Sequence, residues 1–150
     1  PPVGDSTLGH RPRRPEIVAD EADESIAMRC FAYEDRFGLI LERHLTLLAD
    51  GKSLVGQDRI LPSKGKVSGV CTIRFHLGQG TDVKVGDDLL RLHLASGQIW
   101  NFLWEGADAR IEDSVRQSTL FGFHRTRQIV LEVAAGDTPE VSWIFTLDEK

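Results

Sequence analysis

Two stretches of this sequence carry an Arg-x-His pair, Arg74-Phe75-His76 and Arg91-Leu92-His93. In an extended strand, residues two apart share a face, so each pair projects a fork of guanidinium donors beside an imidazole. That set suits a carboxylate or a sulfate. It equally suits a solvated outer strand face. Asp58 with one or two of His44, His76 and His93 could complete a zinc site if the strands bring them together, although nothing in local spacing requires one. Asp58-Arg59 and Glu112-Asp113 place carboxylates at strand ends. Paired acids there can do general acid–base work, or they can pair across strands and cap turns. Trp100, Trp104 and Trp143 could stack on sugar rings, but Trp100 and Trp104 share a strand face with Phe102, and such a stripe reads as core more often than as a sugar platform. His10 falls in the N-terminal lead, and His124 in a Gly/Arg-rich loop at 121–125. The sequence contains no Gly-rich phosphate loop, Gly-x-Ser-x-Gly elbow, Cys-x-x-Cys or His-Glu-x-x-His.

The elements that must position these groups are strands. Residues 25–33, 39–49, 52–61, 70–77, 89–95, 98–105, 109–113, 127–134 and 141–147 alternate or run apolar over strand lengths, and turn residues bound them. Leu41, Arg43, Leu45 and Leu47 share one face of the second run, with Glu42, His44 and Thr46 on the other. Asp50-Gly51 after it predicts a hairpin, with a type I′ turn. Residues 16–19 predict a short edge strand. About ten short strands exceed one flat sheet of ordinary size, so an all-β, antiparallel two-sheet β-sandwich is expected over residues 25–150, with a barrel as the alternative. Residues 1–24, rich in Pro and Arg and then acidic, are expected to form an extended, partly disordered lead.

Composition narrows the classes. The 150 residues are 41% hydrophobic and 27% charged, enough for one domain with a real core. A net charge of −5 argues against nucleic acid as the main partner. No apolar run reaches the roughly 18–20 residues of a membrane span. Cys30 and Cys71 do not make a disulfide framework and read as two buried thiols, or as a single bridge. The start, Pro1-Pro2-Val3-Gly4, reads as a piece of a longer polypeptide.

Phe37-Gly38-Leu39-Ile40, Arg43, Leu45-Thr46-Leu47, Ala49-Asp50-Gly51, Leu54, Gly56 and Asp58-Arg59 follow one another in a recognisable order. Ile73-Arg74-Phe75-His76-Leu77, Ser96-Gly97 with Trp100, Ile111-Glu112-Asp113-Ser114 and Gln128-Ile129-Val130-Leu131 continue it. Over roughly residues 9–145 the chain resembles the C-terminal region of heparinase II/III-like proteins. The resemblance implies a polysaccharide lyase that cleaves uronic-acid-containing glycans by β-elimination. In such an enzyme a C-terminal β-sandwich packs on an upstream α/α-toroid that holds the reacting Tyr and the carboxylate-neutralising residue. It also implies an acidic polysaccharide as partner, a periplasmic or secreted location (the cytoplasm staying open), and in some members a divalent metal in the sandwich.

Relatives carry His-Asp-Gly-Tyr where this chain has Cys30-Phe31-Ala32-Tyr33, so Tyr33 is a cleft-facing remnant at best. Relatives also have His where Leu41 and Gly78 stand. Asp58 and His76 remain as the resemblance's ligands for zinc or calcium, a set too small for a structural zinc site. Arg74, His76, Arg91 and His93 are the substrate-binding candidates. No residue of this chain is expected to be catalytic by itself. A purely structural domain and a stand-alone acidic-glycan-binding module are the competing expectations.

Overall fold

The computed structural model describes residues 2–3, 7–8, 14–20, 24–118, 122–134, 136 and 139–149. In chain order the strands are β1 (Pro2–Val3), β2 (Thr7–Leu8), β3 (Glu16–Asp20), β4 (Ser25–Cys30), β5 (Leu39–Leu47), β6 (Ser53–Pro62), β7 (Val70–His76), β8 (Asp82–Val85), β9 (Leu90–His93), β10 (Ile99–Glu105), β11 (Asp108–Ser118), β12 (Gly122–Ala134) and β13 (Glu140–Leu147), with one helical turn, α1 (Glu34–Phe37), before β5. An eight-stranded sheet runs β3-β4-β5-β6-β13-β10-β9-β8 and a three-stranded sheet runs β11-β12-β7. Every pairing is antiparallel. The molecule is a β-sandwich. Among the described residues β1 and β2 pair only with each other; His10 and the rest of 9–13, with 1, 4–6 and 21–23, lie outside the described residues.

The interlayer is built from the alternating faces. Phe102, Ile129 and Leu131 are fully buried, and Leu90, Leu92 and Trp143 nearly so. Phe75 packs edge-on to Trp143, with ring centroids 4.9 Å apart. Phe102 stacks on Trp104 at 5.7 Å, so the aromatic stripe of β10 belongs to the core.

Several local expectations change. Asp50-Gly51 does turn the chain, but the turn is not type I′. Only Gly51 has positive φ there, and its N–H donates to the Leu48 carbonyl, while Asp50 Oδ1 accepts from the Lys52 N–H. β11 and β12 are eleven and thirteen residues long, because polar side chains on both faces of their outer ends hid the alternation. His124 therefore lies in a strand, opposite Arg116, and not in a loop. Asp58, Glu112 and Asp113 are likewise mid-strand residues rather than strand ends.

On the outer side of the large sheet, one register row alternates in charge across five strands: Glu16, Arg29, Glu42, Arg59 and Glu140. Arg29 donates to Glu42 at 2.7 Å, and Arg59 to Glu140 at 2.6 Å. Such a row resists a one-residue register slip, which would expose the apolar set and break every pair. The Arg29 hydrogen bond, helped by His44 and opposed by burial, holds the Glu42 carboxyl below the ordinary Glu value of 4.5. A lowered folded pKa contributes stability above that value and loses it as pH falls through the folded one. Glu42→Gln is therefore expected to flatten the acid limb of the stability profile as pH falls below 4.5. Urea unfolding at several pH values checks this; parallel acid limbs for the two proteins would show that Glu42 contributes nothing to it.

Candidate functional site

Arg43 shares its strand face with Leu41 and Leu45, so β5 must carry a guanidinium into the interlayer. Directly across from it in β6 stands Asp58, the register partner of Arg43. The pair is bidentate: Arg43 Nε donates to Asp58 Oδ1 at 2.5 Å and Nη2 to Oδ2 at 2.9 Å. From β13, the indole N–H of Trp143 donates to Asp58 Oδ2 at 2.8 Å. Arg43 also lies over the rings of Phe75 and Trp143, 5.6 Å from each centroid. A buried carboxylate is tolerable only when paired and hydrogen-bonded, and Asp58 is both.

This cluster forms part of the floor of a groove of about 700 Å³. The floor is the inner face of β3–β6, with Ile17, Met28 and Leu41 on it, and β7 is the wall. Tyr33 and Phe37 line it as well; their rings are 6.2 Å apart, and Tyr33 is 45% exposed. Cys30 of β4 and Cys71 of β7 face the same groove from opposite sheets, both as free thiols. Burial raises the Cys71 pKa, so its nucleophilic form is disfavoured.

The two Arg-x-His pairs are not brought together. Ile73 and Phe75 face the core from β7, and Leu90 and Leu92 from β9, so Arg74 and His76 stand on the outer face of the small sheet and Arg91 and His93 on the outer face of the large one. His76 Nδ1 lies 3.0 Å from Ser114 Oγ. A second cavity, of about 390 Å³, opens beside it, lined by Leu77, Val115, Arg116 and Thr126 among others. Arg74 faces Glu112 at 4.0 Å. Glu112 is itself held below the ordinary Glu value by Arg110 and Gln128. Arg91 donates to Asn101 Oδ1 at 3.4 Å, and His93 Nε2 is buried without a hydrogen-bond partner among the described residues.

A metal held by Asp58 and His76 does not fit this arrangement. Both Asp58 oxygens are occupied by Arg43 and Trp143, and His76 projects from the far side of the small sheet. No group of three or more His, Cys, Asp or Glu suited to a metal ion occurs among the described residues. Arg43 and Arg116 were not singled out from the sequence, and Trp143, offered there as a ring to stack on sugar, is instead buried and bonded to Asp58. Arg43 carried the available signal: a charge in phase with Leu41 and Leu45 must be met by an opposite charge inside.

The family described as Heparinase II/III-like, C-terminal matches residues 3–144. Among curated proteins none matches significantly. A solved heparinase III superimposes with a TM-score of 0.72 at 12% identity, covering 90% of this chain and 22% of its own. The heparan sulfate lyase HepC from Pedobacter heparinus does so with a TM-score of 0.74 at 10% identity, covering 91% of this chain and 22% of its own. Identities this low speak for the fold alone; the family match covers nearly the whole sequence, and the chain belongs to the heparinase II/III-like C-terminal family.

Proposed function

We propose that this chain is the C-terminal β-sandwich of a polysaccharide lyase acting on uronic-acid-containing glycans, that it packs on an upstream α/α-toroid, and that it is not catalytic alone. One observation carries the reading: lyase structures overlay nine-tenths of this chain but only 22% of their own length. Elimination needs a base within reach of the sugar C5 proton and a group that neutralises the uronate carboxylate. Asp58 is committed to Arg43 and Trp143, and among the described residues no histidine lines the groove beside Tyr33. The reading includes an acidic polysaccharide partner and a secreted or periplasmic location. No described helix is long and apolar enough to cross a membrane.

The glycan contacts proposed for this chain are Arg74 and His76, neighbours on one exposed face, with Arg91 and His93 as a separate second contact. A purely structural role is favoured by a different observation: the charges around Arg74 satisfy one another, Arg110 reaching both Glu112 and Glu132.

The test has two arms. Incubated with heparan sulfate or alginate, the chain is expected to produce no absorbance from unsaturated uronate, whereas the longer lyase polypeptide does; turnover by the chain alone overturns the proposal. In titrations with acidic oligosaccharide, Arg74→Ala is expected to weaken binding by about 1.5–3 kcal/mol, the range for a hydrogen bond to a charged group. An unchanged isotherm would assign Arg74 to the structural lattice.

A further inference from the structure

The sheets differ in width, and the mismatch leaves one flank unroofed. β7 lies over β5 and β13, since Phe75 meets Arg43 and Trp143, so β3 and β4 extend beyond it. Two strands at about 4.8 Å spacing make a ledge roughly 10 Å wide. Its upward face is apolar: Ile17 is 57% exposed, with Met28 opposite it in register.

The wall of this ledge is an open strand edge. Among the described residues β7 pairs with β12 alone. The Leu77 N–H donates to the Arg127 carbonyl, and the alternation of an antiparallel ladder then turns the main-chain groups of Phe75, Ile73 and Cys71 toward β12. Those of Val70, Thr72, Arg74 and His76 point outward, and the first three line the groove. β7 contains no Pro and no Lys to discourage pairing.

From this juxtaposition we infer that the ledge is a seat for strand addition: an extended segment from elsewhere in the same longer polypeptide pairs with the free edge of β7 and sets alternate apolar side chains on Ile17, Met28 and Leu41. The inference rests on the chain being part of a longer lyase, as proposed above. The occupant is narrow. Joining two copies through their β7 edges would force two β3–β4 flanks into one space, so a second sandwich does not fit. The row of outward main-chain donors and acceptors matches a peptide better than a sugar, and the Arg43 and Asp58 charges in the floor are already paired with each other. A permanently apolar, ungated edge also suits a segment that is always present.

Hydrogen exchange on the 150-residue chain and on the longer polypeptide tests this. The amides of Val70, Thr72, Arg74 and His76 are expected to exchange about tenfold or more slowly in the longer polypeptide, while those of Ile73 and Phe75, already bonded to β12, are slow in both. Thr72→Pro deletes one outward donor and Ile17→Lys charges the floor. Both are expected to leave the isolated chain folded and to abolish the added protection; should Thr72→Pro unfold it, Ile17→Lys alone decides. Equal, fast exchange at the four amides in both proteins overturns the inference. Protection that appears in the isolated chain with rising concentration, or only with acidic oligosaccharide, overturns it in favour of a second copy or a glycan. Lyase activity is read separately, so protected β7 amides in a polypeptide without elimination activity would sink the lyase reading and leave strand addition standing.

Discussion

Asp58→Ala is expected to destabilise the sandwich by about 3 kcal/mol, the lower end of the range for breaking a buried ion pair. The lower end applies because the Arg43 side chain keeps 34% of its surface in the groove, whereas Asp58 keeps 10%. Truncation strands a guanidinium between Phe75 and Trp143 and leaves the Trp143 indole N–H without its acceptor. A loss of this size lowers Tm by roughly 10 °C in a domain of this length. The double variant Arg43→Met/Asp58→Leu is expected to recover most of the loss, because removing both charges also removes the desolvation penalty. Guanidinium unfolding of the wild type, Arg43→Met, Asp58→Leu and the double closes the cycle. Strict additivity of the two single losses would show that the pair is not coupled and that the interlayer charge is incidental.

Gly56→Ala is expected to cost about 3 kcal/mol or more, at the upper end for overpacking a filled core. In β6 this residue is the register partner of Trp143, and the indole lies across its Cα. A Cβ would sit 2.1 Å from Trp143 Cζ2. The ring has little room to yield: it is 4% exposed, tethered to Asp58 and packed on Phe75. Unlike the turn glycine Gly51, whose positive φ is its constraint and whose Cβ would meet nothing within 4 Å, Gly56 is required by a close approach. Near-UV circular dichroism should report the displaced tryptophan, and thermal unfolding the loss. A Gly56→Ala protein with wild-type Tm and an unchanged tryptophan band would mean the ring is not seated there. The two substitutions perturb one assembly, since Trp143 spans Gly56 and Asp58, and their effects should be non-additive.

Alternation along individual strands was legible from the sequence because it is a local property. Cys71, Ile73 and Phe75 point inward and Arg74 and His76 outward, as period two requires. The same reading placed Arg43 with Leu41 and Leu45. The lengths of β11 and β12 were not legible, because Arg116, Gln117, Arg125 and Arg127 break the apolar rhythm where the hairpin runs past the core. The short strand β8, with Val85 exposed, and the single turn α1 were missed for a similar reason: neither buries enough side chain to leave a periodic trace.

From the residues alone one could read an antiparallel all-β domain, the inward face of the regularly alternating strands, and the resemblance to the family. It took the folded molecule to show that Arg74–His76 and Arg91–His93 lie on opposite surfaces, that Asp58 is bound by Arg43 and Trp143 rather than set beside His76, and that β3 and β4 overhang β7. The reason is physical: phase along a strand follows from local geometry, whereas the layer a strand joins and the neighbour it pairs with depend on contacts between residues far apart in the chain.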